Sequence, residues 1–273
     1  MGMVIKTNMD SVRTYNIYHR NSIALSDAMY KVSSTQRINS AADGASDLAI
    51  SEGMRTKIRS LEQADRNAQT GNNMMKTAEG ALANISDILS SMREKVMHAA
   101  NDDVSSSDRG LIQKEIDSLV EQINQNAKIK YNGTELLSTS TTLQFQIGDD
   151  INDIVTYTIL AMDASALSVA GIDVSAGDAS AANGILSTID AGIATLNEFM
   201  ANLGSYETQL GYTSDNLLNV TANLKDSEST IRNLDMAQGM TEFMKYNVLT
   251  QASQFMLAQA GQNAYSVLNL LQQ

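Results

Sequence analysis

Two long stretches of this chain, far apart in sequence, repeat apolar side chains every seven positions. This spacing places an apolar stripe along a helix, and the stripe needs a partner helix to cover it. The first stripe comprises Met54, Leu61, Ala68, Met75, Leu82, Leu89 and Val96, with a companion stripe of Ile50, Ala64, Gly71, Ala78, Ile85, Met92 and Ala99. The second stripe comprises Ile189, Leu196, Leu203, Leu210, Leu217, Leu224 and Ile231. We expect the two stripes to pack together, which brings both termini to one end.

The composition also favours long helices. The chain has 273 residues and no proline, whereas average usage of about 5% predicts roughly 14 prolines. Because proline breaks helices, its absence favours uninterrupted ones. A helix from about residue 46 to about residue 100 would be about 80 Å long. The predicted fold class is therefore mainly α, an elongated rod of long antiparallel heptad helices with a small β-hairpin region.

The order of these patterns divides the chain into five predicted segments. A break around Ser40–Gly44 ends the first helix, and Ser107 or Asp108 is predicted to cap a third helix. Alternating apolar residues in 143–147 and 155–159 predict a β-hairpin, and small polar residues in 161–184 predict a loop. The predicted segments are a terminal helix over 1–42, rod helices over 43–138, a hairpin and short variable region over 139–185, a rod helix over 186–235 and a terminal helix over 236–273.

The two terminal segments carry more apolar surface than one slim helix pair covers. The last segment, 236–273, has only Glu242 and Lys245 as charged residues. A helix that is apolar nearly all round must be buried, so we expect other subunits to bury it. The terminal helices are predicted to pair as a coiled-coil-like inner domain. The candidate residues of this polymerisation core are Ile5, Met9, Val12, Leu25, Met240, Met244, Phe255 and Leu268.

Charge and residue usage exclude several functions. The net charge is −12, and no Lys or Arg occurs between Lys130 and Lys225, which argues against a nucleic-acid partner. An ordinary solvated acidic surface explains this region as well as a specific cation site would. No apolar run is long enough for membrane insertion. The chain has no cysteine and only two histidines, without an HExxH pattern, so we expect neither enzymatic activity nor a metal or cofactor.

Two blocks of sequence resemble a known family. Near the N-terminus stands VSSTQRINSAADGASDLAISEGMRTKIRSLEQADRNAQTGNNMMKTAEGALANISDILSSMREKVMHAAND, and near the C-terminus stands LKDSESTIRNLDMAQGMTEFMKYNVLTQASQFMLAQAGQ. Together with FQIGDD in the predicted hairpin, they closely resemble the conserved regions of bacterial flagellin. The resemblance covers roughly residues 1–160 and 190–273. It implies a subunit of the helical flagellar filament whose terminal helices line an inner tube.

The same resemblance implies partners and a location. The chain is expected to be exported unfolded by the flagellar type III apparatus, guided by its uncleaved N-terminus, and to polymerise with itself outside the cell for swimming motility. A cytoplasmic chaperone is expected to shield the apolar C-terminal tract before export. Filament cap and junction proteins are further expected partners.

A host Toll-like receptor is a further partner implied by the resemblance. In related flagellins that the receptor senses, it binds the segment that matches Ser90–Asn101 together with the helix that faces it. This sequence keeps Arg93, Glu94 and Glu115 at the matching positions. It has Ser91 where strongly recognised flagellins have arginine, and Lys95 where they have leucine. We therefore expect weakened recognition, because an anchoring guanidinium and an apolar contact are both lost.

Two other functions are alternatives at this point. A hook–filament junction protein shares similar terminal helices, although the blocks RINSAADGASDLAISE and MTEFMKYNVLTQASQFMLAQA are closer to flagellin. A secreted coiled-coil adhesin would be folded and soluble as a monomer. Circular dichroism with and without residues 1–40 and 236–273 separates the adhesin from the filament subunit.

Overall fold

The computed structural model describes residues 8–175 and 179–271, and it describes no side chains for 179–181 and 264–271. The described residues form five helices and two small antiparallel sheets. The helices are α1 (Met9–Ser34), α2 (Ala41–Ala99), α3 (Ser106–Ala127), α4 (Ala179–Arg232) and α5 (Met236–Leu271). The strands are β1 (Lys130–Tyr131), β2 (Thr134–Glu135), β3 (Thr141–Gln146) and β4 (Ile154–Ile159). The predicted mainly α class with a small hairpin region is confirmed.

The helix ends are set by short polar side chains. Asn8 caps α1 by accepting a hydrogen bond at Oδ1 from Ser11 N, at 3.0 Å. Asp43 accepts from the backbone N–H groups of Asn39 and Ser40, and the backbone leaves the helical conformation at Gly44 inside α2. The predicted cap of α3 was wrong, because Ser105 rather than Ser107 or Asp108 occupies the N-cap position. The Ser105 side chain accepts from Asp108 N, which satisfies one of the free N–H groups of the first turn.

The chain divides into two compact units. One unit contains the residues up to Ile58 together with those from Ala222 onward, and the other is Arg59–Thr221. In the first unit α1 lies antiparallel to α5, since Asn8 bonds to Ala260 O near one end while Leu234 N bonds to Thr35 O near the other. This unit also contains the beginning of α2 and the end of α4.

In the second unit, α2 and α4 run antiparallel and bury the two heptad stripes. Asp65 accepts a hydrogen bond from Ser214 Oγ, and Arg93 Nε donates to Asp190 Oδ1 at 2.7 Å, so α4 runs opposite to α2. The core includes Leu82, Ile85, Leu89, Met92, Ile189, Leu196 and Leu203, each fully buried. The heptad prediction is wrong at Ile50, which is 49% exposed on the part of α2 that belongs to the first unit.

The predicted β-hairpin is present, with β3 and β4 antiparallel and Leu143 opposite Tyr157. A second, shorter hairpin pairs β1 with β2, where the sequence analysis gave no sheet. Its turn places Asn132 and Gly133 at positive φ, which suits a two-residue turn whose twist matches the strands. Both hairpins are small because the helices supply most of the core.

The predicted loop over 161–184 is not a solvated loop along its first part. Residues 162–175 pack on the core of the second unit, with the side chains of Met162, Ala164, Leu167, Val169, Ile172 and Val174 buried. We call residues 162–175 the strap. Gln113 of α3 accepts a hydrogen bond from Val174 N at 2.8 Å and donates to Ile172 O at 2.8 Å, and Asn124 Oδ1 accepts from Ala164 N. Two amide side chains therefore satisfy backbone groups that a solvated loop would give to water.

Candidate polymerisation surface

The face of α1 that lies against α5 is poor in apolar groups. Ala28 is the one apolar side chain of α1 that is buried among the described residues, and the buried side chains of α5 there are Thr250 and Ser253. Asn21 Nδ2 donates to Ser253 Oγ at 2.9 Å, and Asn8 Nδ2 donates to Ala260 O at 3.0 Å. Polar and small residues hold the two helices side by side within the subunit.

Many of the large apolar side chains of both helices are instead exposed. In α1 the exposed ones are Met9, Val12, Tyr15, Ile17, Ile23, Met29 and Tyr30, and in α5 they are Met236, Met240, Met244, Val248, Leu249, Phe255 and Met256. We call these fourteen residues the apolar surface. Apolar patches larger than those of ordinary monomers mark sites of protein association. Within the unit, the described residues leave 37–78% of each of these side chains exposed.

Some of the predicted polymerisation-core candidates belong to the apolar surface, and others do not. Met9, Val12, Met240, Met244 and Phe255 belong to the apolar surface, and Phe255 is 78% exposed. Leu25 is half-buried beside α5. Ile5 lies outside the described residues, and Leu268 lies in α5 with its side chain outside them.

Sequence analysis missed part of this surface. Ile17, Ile23, Tyr30, Leu249 and Met256 are exposed but were not among the candidates. The signal that identifies them is that apolar residues of α1 and α5 occur at more than one helical spacing, so each helix has a second apolar face.

Charged residues lie where the end of α1 approaches the beginning of α2. Lys31 Nζ is 2.9 Å from Asp27 and 3.5 Å from Asp43. The hydrogen bond to Asp27 raises the pKa of Lys31, and the backbone N–H of Ser40 lowers the pKa of Asp43. These interactions hold the end of α1 near the beginning of α2. None of the three charged residues belongs to the apolar surface.

A cluster of polar residues joins α4, α2 and the segment that follows α1. Arg232 is the last residue of α4, and its guanidinium is buried, donating from Nε to Gln36 Oε1 at 3.2 Å and from Nη1 to Glu52 Oε1. Glu52 is also 3.5 Å from Arg55, whose Nε is 4.0 Å from Glu228. The hydrogen bond from Arg232 lowers the pKa of Glu52. We call Gln36, Glu52, Arg55, Glu228 and Arg232 the junction cluster.

The residues predicted to face a receptor lie in the second unit. Arg93 of α2 pairs with Asp190 of α4, and that hydrogen bond raises the pKa of Arg93. Lys95 pairs with Glu115 of α3, with Nζ and Oε2 2.6 Å apart. Ser91 and Glu94 are exposed on α2. The structure thus shows that two of these residues form ion pairs, Arg93 with Asp190 and Lys95 with Glu115.

None of the helices within the described ranges has a stretch apolar enough, over the required length, to cross a bilayer. The described residues also hold no group of three or more His, Cys, Asp or Glu side chains arranged for a metal ion.

Comparisons with known proteins agree with this description. A family model described as the bacterial flagellin N-terminal helical region matches residues 5–142, and one described as the bacterial flagellin C-terminal helical region matches residues 186–271. A flagellin of Halalkalibacterium halodurans is 37% identical over 271 residues, covering 98% of this chain and 100% of the relative. A flagellin of Bacillus subtilis is 36% identical over 303 residues, with the same coverage of 98% and 100%. A flagellar filament 33 kDa core protein of Treponema phagedenis is 34% identical over 285 residues, again covering 98% and 100%.

Solved structures give the same fold. The crystal structure of Bacillus cereus flagellin has a TM-score of 0.50 at 25% identity, covering 56% of this chain and 88% of that one. A putative flagellar hook-associated protein from Vibrio parahaemolyticus has a TM-score of 0.60 at 15% identity, covering 70% of this chain and 100% of that one. At that identity the second likeness concerns the fold alone.

Proposed function

The chain belongs to the bacterial flagellin family and is a structural subunit of a flagellar filament, and we propose that it polymerises through the apolar surface of α1 and α5. The observation that carries the proposal is the division of side chains on this helix pair. Polar and small residues such as Asn21, Ala28 and Ser253 face the partner helix within the subunit. The large apolar residues point outward, where neighbouring subunits would cover them.

The energy of association would come mainly from this surface. Fully burying one Leu, Met or Phe side chain stabilises by about 1.5–3 kcal/mol, so fourteen exposed residues offer enough to offset the entropy lost on association. The described part of α5 carries few charges, so little charge desolvation would oppose burial. The proposed contact is between different faces of successive copies, and contacts of this kind that do not close into a ring produce a helical filament.

Location and partners belong to the same proposal. The filament lies outside the cell, and the chain reaches it unfolded through the flagellar type III apparatus. Before export a chaperone covers α5, since an exposed apolar tract such as Val248–Met256 would otherwise aggregate. Filament cap and junction proteins contact the same helices at the filament ends. The proposal includes no enzymatic activity, metal or cofactor.

The experiment is seeded polymerisation of the purified full chain, followed by light scattering and electron microscopy. We expect elongation on preformed seeds, and a rise in helical circular dichroism as α1 and α5 become buried. A chain lacking residues 1–40 and 236–273 should keep the helicity of its second unit and fail to elongate. A full chain that is already maximally helical as a monomer and ignores seeds would instead favour the adhesin alternative. One that binds to filament ends without elongating them would favour a junction protein.

Receptor recognition is proposed to be weak. Ser91 offers no guanidinium, and Lys95 places a charge where an apolar contact is expected from the resemblance. The ion pair of Lys95 with Glu115 supports the proposal, because a receptor group that approached Glu115 would have to compete with a lysine 2.6 Å away. Exposed ion pairs are worth little in isolation, so the effect comes from competition and shape rather than stability.

A further inference from the structure

The packing between α1 and α5 specifies their relative register only weakly. Ala28 is the single buried apolar residue that the described part of α1 contributes. Apolar knobs of distinct shape normally lock two helices at one register, and here many of them are exposed while others, such as Leu25 and Leu257, are half-buried. A slip of α1 along α5 by one turn would therefore disturb apolar contacts that are mostly only partly buried.

The hydrogen bonds along the pair are also weak determinants of register. Asn8 donates to the main-chain carbonyl of Ala260, and Asn21 donates to the carbonyl of Leu249 at 3.4 Å as well as to Ser253 Oγ. Main-chain carbonyls recur in every turn, so a slipped pair would find similar acceptors. Two of the contacts depend on residue type, namely Asn21 with Ser253 and, at 3.4 Å, Gln254 Nε2 with Tyr18 Oη.

The register is tightly specified at the end of the pair where the last turn of α1 meets the first turn of α5. A Cβ added at Gly239 would lie 2.6 Å from Leu234 Cδ2 and 3.4 Å from Val32 Cγ2, so the first turn of α5 and the last turn of α1 approach closely there. Arg37 N donates to Arg232 O at 2.8 Å and Leu234 N donates to Thr35 O at 3.0 Å, which pairs the two connecting segments.

Arg232 fixes this pairing through its side chain. Its buried guanidinium joins Gln36, next to the end of α1, with Glu52 on α2. Displacing the segment around Gln36 by one turn would break its hydrogen bond to the buried guanidinium and leave Glu52 as the remaining acceptor. Buried ionic groups are best attested as devices that specify register rather than as sources of stability. Arg232 therefore adds a side-chain penalty for slippage to the main-chain bonds at this end of the pair.

We infer that Arg232 is a positioning residue for filament assembly: with Glu52 and Gln36 it sets the register of α1 against α5, and so determines which apolar side chains neighbouring subunits meet. The inference rests on the proposed polymerisation through the apolar surface. It differs from a general stabilising role, because it concerns which turns of the two helices face each other.

The test uses the absence of native cysteine in the chain. Cysteine pairs are introduced at Asn21 and Ser253, which are in register, and at Asn21 and Leu257, one turn away. Seeded filaments of the full chain are treated with a short bis-maleimide, and intramolecular products are quantified by mass spectrometry. In the otherwise unchanged chain we expect the in-register product to dominate. With Arg232→Gln the ratio of in-register to slipped product should fall by about tenfold or more.

Two further variants keep the test decisive. Arg66→Gln removes the same charge from an exposed arginine that bonds to Gln63 of its own helix, and its ratio should equal that of the unchanged chain. Arg232→Lys keeps the charge but not the two-sided hydrogen bonding, so it should give an intermediate ratio, and it is the variant to measure if Arg232→Gln does not polymerise. An unchanged ratio in the measured Arg232 variant, or an equal fall in Arg66→Gln, overturns the inference. Failure of the unchanged chain to polymerise counts against the proposed function instead.

Discussion

Gly71 of α2 lies against the aromatic ring of Phe145 of β3, so that a Cβ added at Gly71 would be 3.2 Å from Phe145 Cε1. The same Cβ would lie 3.3 Å from Leu210 Cδ1 of α4. The absence of a side chain at one position thus allows the hairpin and α4 to pack on α2 together. Leu210 belongs to the heptad stripe of α4, so the hairpin enters the core where the two stripes meet.

This contact predicts opposite effects of one substitution at two glycines of α2. Gly80 is exposed with no atom within 4 Å of an added Cβ, so Gly80→Ala should stabilise by about 0.5–1 kcal/mol through helix propensity. Gly71→Ala gains the same propensity but overpacks the core, which costs about 1–3 kcal/mol, and should destabilise overall. Denaturant unfolding measures both. A stabilised Gly71→Ala variant would show that Phe145 and Leu210 move aside freely.

Substitution of an exposed aromatic residue tests the apolar surface. Phe255→Ala should raise the critical concentration for polymerisation by about tenfold or more, because a buried Phe at an interface contributes more than 1.4 kcal/mol. Thermal unfolding of the second unit should not change. Gln251→Ala on the same helix, whose exposed side chain donates to Asn247 one turn earlier, is the matched control. Equal critical concentrations for the two variants would exclude Phe255 from the subunit contact.

Receptor recognition should be recoverable by two substitutions. Ser91→Arg supplies the missing guanidinium, and Lys95→Leu supplies the apolar contact and releases Glu115. Each is expected to raise potency by about 5- to 30-fold, equivalent to about 1–2 kcal/mol. A reporter-cell assay of the receptor measures potency, and Lys114→Leu on α3 controls for added hydrophobicity. Unchanged potency in the double variant would contradict the proposal.

The stability of the second unit should depend on pH through Glu207. Its Oε1 atom is buried without a hydrogen-bond partner, and burial, together with Glu79, raises the pKa of Glu207, while Lys76 opposes the shift. The unfolded chain loses this proton near the ordinary glutamate pKa of about 4.3. Between that pH and the higher folded-state pKa the folded form binds more protons, so stability falls as pH rises. Glu207 therefore favours folding below this window and disfavours it above.

Glu207→Gln tests this sign. The variant should be more stable than the unchanged chain at neutral pH, and the difference should shrink as pH falls toward 4. Thermal unfolding across pH measures it, with Glu198→Gln, an exposed residue of the same helix, as the control. A variant that is less stable at neutral pH would show that the charged carboxylate is stabilised in the folded state.

The ordered packing of the strap should depend on the side-chain amide of Gln113. Gln113→Ala leaves Val174 N–H and Ile172 C=O without their partner, at a cost of about 1–3 kcal/mol for each group that water does not reach. Hydrogen exchange at residues 172–174 should accelerate, and thermal unfolding should occur at lower temperature. Lys114→Ala, at the next and exposed position, should change neither. Retained protection at Val174 would show that apolar packing alone holds the strap.

The sequence by itself determined the pairing of α2 with α4 and most of the core. Residues such as Leu82, Leu89, Leu196 and Leu203 repeat every seven positions, and all of them are buried. Apolar periodicity can be recognised from a short stretch of sequence, because the spacing that forms an apolar stripe lies within one helix. The hairpin of β3 and β4 was predictable for the same reason, with a period of two.

Only the tertiary structure decided where polar groups find partners. Gln113 bonds to Val174, 61 residues away, and Arg232 bonds to Gln36, 196 residues away. The strap was predicted as a loop because its composition is small and polar, while the α3 amides that satisfy its backbone are distant in sequence. Likewise, Asn21 of α1 donates to Ser253 of α5, 232 residues away. Hydrogen bonds between distant segments leave no periodic trace in the sequence, since each depends on one donor and one acceptor that only the fold brings together.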